Sequence, residues 1–85
     1  MAFYNLFIKK SAEKEIRRLP EKERKRVVER ILMLKENPRP LGSEKLRGDD
    51  AFRLRQGDYR IIYEVDDPEK TVTVIRVGHR REVYR

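Results

Sequence analysis

The chain has 85 residues, with 22 Lys and Arg against 15 Asp and Glu, so it has room for one domain (residues 1–85) with a formal charge of +7. It has no cysteine and no apolar run near the roughly 18 residues of a membrane span, which excludes disulfides, thiolate chemistry and a spanning helix. No apolar segment typical of a signal peptide follows Met1, so we expect a cytoplasmic protein. A charge of +7 favours an anionic partner: nucleic acid, an anionic membrane or an acidic protein.

The first half of the chain predicts one strand and two helices. Residues 4–8 predict a short strand, because Tyr4, Leu6 and Ile8 fall on one face at a period of two. Ser11 is a candidate N-cap for a short helix that ends before Pro20, because a proline disfavours helix at the preceding residue. Pro20 can open a second helix, which Asn37-Pro38 stops. The apolar stripes are Ala12, Ile16 and Leu19 in the first helix, and Val27, Ile31 and Leu34, with Val28 and Leu32 beside them, in the second.

The second half predicts a loop and then an antiparallel meander. Residues 41–50 show no strand pattern and predict a loop. Gly57-Asp58 is a two-residue turn signal, because glycine accepts a positive φ, and it joins strands 51–56 and 59–66. The β-branched run 71–77 predicts an interior strand that Gly78 breaks. The two faces of that strand are Val72, Val74 and Arg76 on one side, and Thr71, Thr73, Ile75 and Val77 on the other.

These elements predict an α+β fold with the order β-α-α-β-β-β. Two helices pack on one face of a four-stranded, mainly antiparallel sheet, and the first strand joins an edge or pairs with a non-neighbour. The two-residue turn places Arg55 opposite Arg60, so that one hairpin face is apolar and the other gathers Arg53, Arg55 and Arg60. Because like charges on neighbouring strands repel and add nothing to a fold, we expect an anionic ligand there.

The residue types favour RNA cleavage without a metal ion or cofactor. There is one histidine and no cysteine, the acids are scattered, and no glycine-rich phosphate loop is present. In such a reaction the ribose 2′-OH attacks its own 3′ phosphate, cations stabilise the transition-state charge, and titratable groups transfer the protons. Arginine cannot be the base, but Tyr84 or His79 can. The candidate residues are Arg53, Arg55, Arg60, His79, Arg80, Arg81 and Tyr84.

Each candidate also has a purely structural interpretation. A lone histidine at a strand end is usually a surface or capping residue, and a terminal tyrosine such as Tyr84 can dock on the core. Arg53 and Arg55 by themselves fit an ordinary exposed strand face, although three arginines on one hairpin favour a site. The charges of the second helix fit a solvated face.

Three segments of the chain resemble the RelE toxins of toxin–antitoxin systems. They are YNLFIKKSAEKEIRRLP, NPRPLGSEKLRGDDAFRLRQGDYRIIYEV and VIRVGHRREVY, which together cover essentially the whole chain in order. The pattern KLRG…FRLRQGDYRIIYEV…VGHRREVY is specific to the RelE/ParE superfamily. The resemblance implies a small α/β ribonuclease that enters the ribosomal A site, cleaves mRNA and inhibits translation. It also implies a cognate acidic, RelB-like antitoxin that wraps and neutralises the toxin.

The resemblance also assigns site residues. It places the two basic residues of the first hairpin strand at Arg53 and Arg55, two further arginines at Arg60 and Arg80, and a tyrosine at Tyr84. We expect Arg60 and Arg80 to hold the scissile phosphate and Tyr84 to transfer the proton. The RNA-binding set adds Lys45, Arg47 and Arg81 to Arg53 and Arg55.

Several alternatives fit the same residues. His79 is the second choice for proton transfer. ParE toxins share the fold but act on DNA gyrase and lack the ribonuclease residues, and a non-catalytic protein could block translation by binding RNA or the ribosome through charge alone. The presence of Arg60, Arg80 and Tyr84 together favours the ribonuclease. We expect no small-molecule ligand and no membrane partner.

Overall fold

The computed structural model describes residues 3–47 and 50–79. In this part of the chain the strands form one mixed sheet in the order β1-β5-β4-β3-β2, with β1 parallel to β5 and the other pairs antiparallel. None of the helices described is long and apolar enough to cross a membrane. The elements are β1 (Asn5–Ile8), α1 (Lys10–Arg17), α2 (Glu21–Met33), β2 (Ser43–Lys45), β3 (Ala51–Gln56), β4 (Tyr59–Asp66) and β5 (Thr71–His79).

The hydrophobic core lies between the two helices and one face of the sheet, which confirms the predicted α+β class. The predicted stripes of α1 and α2 are buried, but Val28 and Leu32 remain 37% and 52% exposed and lie on the outer side of α2. Phe52 stacks on Tyr63 with ring centroids 5.7 Å apart. On the sheet side the buried residues are Phe52, Leu54, Ile61, Tyr63, Val65, Val72, Val74 and Val77.

The β3–β4 hairpin has the predicted register. Arg55 lies opposite Arg60 and Leu54 lies opposite Ile61, as a two-residue loop requires. Gly57 has a φ of 60°, a conformation that residues with a Cβ rarely adopt. The turn therefore fixes which hairpin side chains face the helices and which face away from them.

The number of strands was predicted wrongly. Residues 41–50 were expected to be a loop, but Ser43–Lys45 pairs with β3 as a fifth strand, with Glu44 opposite Arg53. Three residues are too few for a period of two to appear, and this strand is fixed by hydrogen bonds to β3 rather than by its own side chains.

The alternation predicted along β5 was also wrong. A β-bulge shifts the pairing between Ile62 and Tyr63, so Val77 returns to the core face that Val72 and Val74 occupy. Ile75 then packs with Ile62 on the other side of the sheet. An extra residue in one strand moves every later side chain to the opposite face.

Two predicted element ends differ as well. Gly78 does not break β5, because it pairs with Arg60 and the strand continues to His79. Ser11 is not the N-cap of α1, which starts at Lys10 after the N-cap Lys9, without a side-chain cap. The Lys9 amide donates to the Val74 carbonyl over 3.0 Å, so pairing with β5 sets where the helix begins.

Candidate nucleic-acid interface

Three arginines share the side of the sheet that faces away from the helices. Arg55 lies opposite Arg60, and Arg53 lies opposite Ile62 on the same hairpin. Residues that pair directly across antiparallel strands point to the same side, and Arg53 and Arg55 are two residues apart on β3. We call this side the open face, because no helix among residues 3–47 and 50–79 packs against it.

Arg53 and Arg60 lie partly within the surface of the open face, whereas Arg55 is exposed. Arg53 has a side chain that is only 24% exposed. The Nε atoms of Arg53 and Arg60 are buried and have no acceptor among the described residues, a property shared by Arg30 on α2. A buried donor without an acceptor costs about 1–3 kcal/mol. If an anion bound the guanidinium groups of Arg53 and Arg60 and moved them towards solvent, their Nε atoms would gain acceptors and that cost would disappear.

Glu44 is a residue of the open face that sequence reasoning missed. Its Oε2 atom accepts a hydrogen bond from Arg53 Nη2 over 2.7 Å. This bond, the charge of Arg53 and then the charges of Arg55 and Arg60 lower the pKa of the Glu44 carboxyl. Glu44 was missed because its segment was predicted to be a loop, and a loop residue has no cross-strand partner from which a contact with Arg53 could be predicted.

The structure separates Lys45 from the arginines. Lys45 pairs with Phe52 and therefore points to the helix side of the sheet. Its neighbour Leu46 packs against Ile62 and Ile75, forming a small apolar patch on the open face. Arg47 is exposed in the segment that follows β2.

The structure also places His79 away from the three arginines. His79 pairs with Tyr59, and the two rings meet edge to face with centroids 5.8 Å apart. Tyr59 packs against the core, so this pair lies on the helix side of the sheet. A cleft there is lined by Pro20, Glu23, Arg26, Gly57, Asp58, Tyr59 and His79. The remaining candidates, Arg80, Arg81 and Tyr84, lie outside the described residues.

Arg76 is a fourth arginine of the sheet, and it lies where β5 extends beyond its pairing with β1. It pairs with Ile62, but its Nη2 donates to Glu15 Oε2 of α1 over 3.2 Å. The other carboxylate oxygen of Glu15 accepts from the Val77 amide over 2.9 Å. Glu15 thus satisfies a backbone donor where β5 extends beyond β1, which explains Arg76 as part of a structural contact.

The described part of the chain offers no constellation for a bound metal. No three His, Cys, Asp or Glu side chains within residues 3–47 and 50–79 converge on one point. The guanidinium groups of the open face can supply positive charge and directed N–H donors to phosphate oxygens.

Comparison with known proteins gives a consistent result across the whole chain. Residues 6–84 match the family described as ParE toxin of type II toxin–antitoxin system, parDE. The chain is 36% identical over 85 residues to Toxin RelE of Mycobacterium tuberculosis, covering 96% of this chain and 87% of the relative. It is 37% identical over 86 residues to the mRNA interferase toxin RelE of Escherichia coli, covering 95% and 90% respectively.

The fold agrees with a solved relative. The archaeal RelE–RelB complex from Pyrococcus horikoshii contains a chain that superposes with a TM-score of 0.80 at 29% sequence identity, covering 95% of this chain and 99% of that one. The likeness therefore extends over nearly the full length of both molecules.

Proposed function

Because this chain belongs to the RelE/ParE superfamily of type II toxin–antitoxin toxins, we propose that it is a ribosome-dependent endoribonuclease that cuts mRNA without a metal ion. The observation that carries the proposal is the convergence of Arg53, Arg55 and Arg60 on the open face. A relative that covers most of the chain is named an mRNA interferase, which supports the same reaction class.

The open face can hold a single-stranded RNA backbone. Arg53 and Arg55 are two residues apart on one strand, which separates their Cα atoms by about 6.6–6.8 Å. That spacing suits contacts with successive groups of an extended backbone. Arg60, beside Arg55 on the neighbouring strand, can then contact the phosphate at which the chain is cut.

The proposed reaction transfers two protons and breaks one P–O bond. The ribose 2′-OH attacks the adjacent 3′ phosphate, the bond to the 5′ oxygen breaks, and a 2′,3′-cyclic phosphate and a 5′-OH result. A general base takes the 2′-OH proton and a general acid protonates the leaving oxygen. Arg60 and Arg80 stabilise the additional negative charge of the transition state.

Tyr84 is our first choice for proton transfer and His79 the second. A free tyrosine has a pKa near 10. A neighbouring arginine favours the phenolate, and Tyr84 follows Arg80 by four residues in the sequence. The edge-to-face contact of His79 with Tyr59 on the helix side supports this order, because it turns the imidazole away from Arg55 and Arg60.

An antitoxin partner follows from the same family. The Pyrococcus horikoshii relative was solved as a RelE–RelB complex. With a charge of +7, this chain suits a mostly acidic, RelB-like segment that covers the open face and hides its arginines. Shielding them would block mRNA and the ribosome from the same surface.

The decisive experiment measures cleavage of mRNA on programmed ribosomes by protein that was freed of metal ions with EDTA and dialysed beforehand, in buffer whose only divalent ion is the Mg²⁺ that ribosomes require. We expect cleavage in the A-site codon with a 2′,3′-cyclic phosphate product, and none when that codon carries 2′-deoxynucleotides. Two results would contradict the proposed chemistry. One is cleavage of the 2′-deoxy mRNA, and the other is a strict requirement for a divalent ion in addition to the Mg²⁺ that keeps the ribosome intact.

A second candidate is a toxin that inhibits DNA gyrase, as ParE toxins do. It is favoured by the family to which residues 6–84 match, which is described by the name ParE. A supercoiling assay with purified gyrase separates the two: inhibition of gyrase without mRNA cleavage supports the second candidate. A non-catalytic translation inhibitor would instead block ribosomes without producing cut mRNA.

A further inference from the structure

The open face carries an acid that its proposed function does not require. Glu44 on β2 lies directly opposite Arg53 on β3, and its carboxylate accepts from Arg53 Nη2 over 2.7 Å. The Glu44 side chain is 57% exposed, whereas that of Arg53 is 24% exposed. The exposed end of the Arg53 guanidinium therefore already has an anionic partner from within the chain.

A carboxylate and a phosphate compete for the same guanidinium donors. Both present oxygens that accept charge-assisted N–H bonds at about 2.7–2.9 Å. Arg55 and Arg60 add positive charge around the Glu44 carboxylate, which favours its ionised form. An RNA phosphate that binds Arg53 must therefore displace Glu44, and the displaced anion then lies beside the RNA backbone and repels it.

We propose that Glu44 is a built-in competitor of RNA, which occupies the phosphate position at Arg53 and lowers the affinity of the open face for its substrate. The inference rests on the proposed function, since it assumes that RNA binds the open face. Glu44 is then a further residue that sets the affinity for RNA. Removing its charge strengthens RNA binding, whereas removing the charge of an open-face arginine weakens it.

The test compares two variants that each remove one negative charge. Glu44→Gln removes the competitor and keeps its size, whereas Glu29→Gln makes the same change on the exposed side of α2. The full chain binds ribosomes programmed with an mRNA whose A-site codon carries non-cleavable 2′-deoxynucleotides. We expect Glu44→Gln to bind about 3- to 10-fold more tightly at physiological salt, with Glu29→Gln within about twofold of the wild type.

The salt dependence gives a second readout. In the wild type, each Arg53–phosphate contact also frees a carboxylate that attracts a cation from solution. Without Glu44 that uptake disappears, so the slope of log K against log salt should become steeper by up to about one. An unchanged or weakened affinity of Glu44→Gln would overturn the inference, because it would make Glu44 a support for Arg53 rather than a competitor.

A double-mutant cycle excludes a general charge effect. In an Arg53→Gln background, Glu44→Gln should change affinity by less than about twofold, because the contact it removes no longer exists. An equal gain in both backgrounds would mean that Glu44 acts through long-range charge and would contradict displacement at Arg53.

The same titrations separate failure of the inference from failure of the proposed function. If Arg55→Glu and Arg60→Gln bind as the wild type does, RNA does not use the open face and both proposals fall. If these variants bind weakly while Glu44→Gln shows no gain, only the role of Glu44 is overturned. Thermal unfolding of each variant verifies that the fold is intact.

Discussion

Arg55 and Arg60 are directly opposite each other across the β3–β4 hairpin, so the structure places two like charges side by side on its open face. Such a pair opposes folding, and opposite charges at the same positions contribute about 0.2–1 kcal/mol. Arg55→Glu should therefore raise the free energy of unfolding by up to about 1 kcal/mol. We expect the same variant to lose ribosome affinity and to reduce the salt slope by about one or two.

Lys22→Glu provides the matched control for that variant, because it reverses an exposed charge on α2. Urea unfolding and binding to programmed ribosomes, measured on both variants, give the two quantities. A stabilised Arg55→Glu that binds as tightly as the wild type would mean that Arg55 does not contact RNA.

The Tyr63 hydroxyl donates to the Pro38 carbonyl over 2.7 Å inside the core. Tyr63→Phe keeps the ring against Phe52 but leaves that carbonyl without its partner, so we expect a loss of about 1–2 kcal/mol in unfolding free energy. Tyr59→Phe serves as the control, because the Tyr59 hydroxyl forms no hydrogen bond within the described residues, and it should cost less than about 0.5 kcal/mol. Equal losses in urea unfolding would remove the hydrogen bond as the cause.

The register of the arginines could be predicted from sequence, whereas the side on which His79 lies could not. Gly57 fixes the length of the turn, and a two-residue turn leaves one register for β3 and β4. The bulge in β5 has no such marker, because β-branched residues occur on both sides of it. Ile75 is the additional residue, and its insertion moves Val77 and His79 to the helix side.

Strand β2 could not be predicted from the sequence for a different reason. Its three residues, Ser43–Lys45, are polar or charged and make no apolar alternation. The strand exists because β3 offers an edge, and its consequence for the site is Glu44, which lies against Arg53. Short edge strands of this kind depend on tertiary pairing that local sequence does not encode.

Asp67 accepts hydrogen bonds from Arg39 Nη2 over 2.7 Å and from the Tyr4 hydroxyl over 2.6 Å. Arg39 first, and then Tyr4, hold the pKa of the Asp67 carboxyl below its usual value of 3.8. A carboxyl with a lower pKa in the folded state contributes stability that is present above the unfolded pKa and is lost as the pH falls through the folded pKa. The thermal midpoint of the wild type should therefore fall more steeply below about pH 4 than that of Asp67→Asn.

Thermal unfolding from pH 2 to pH 7 measures that difference. Asp58→Asn, in the exposed β3–β4 turn, makes the same substitution outside the Arg39–Asp67 contact and serves as the control. Parallel curves for the wild type and Asp67→Asn would show that the contact does not couple stability to pH.

Tyr84→Phe removes the phenol oxygen that we assign to proton transfer. If Tyr84 has that role, single-turnover cleavage should slow by about 10²–10⁴-fold with little change in ribosome affinity. His79→Ala should cost much less, because His79 contacts Tyr59 on the side of the sheet away from Arg60. A Tyr84→Phe variant that cuts at the wild-type rate would eliminate the phenol, and an inactive His79→Ala would assign the role to the imidazole.

The central claim is that the open-face arginines carry out mRNA cleavage, and Arg60→Gln tests it most directly. Single-turnover cleavage on programmed ribosomes should slow by about 10²–10³-fold, because a donor to the transition-state charge is lost. Arg17→Gln, an exposed change on α1, should cut at the wild-type rate. If Arg60→Gln cleaves as fast as the wild type and Arg17→Gln do, the open face is not where this toxin acts.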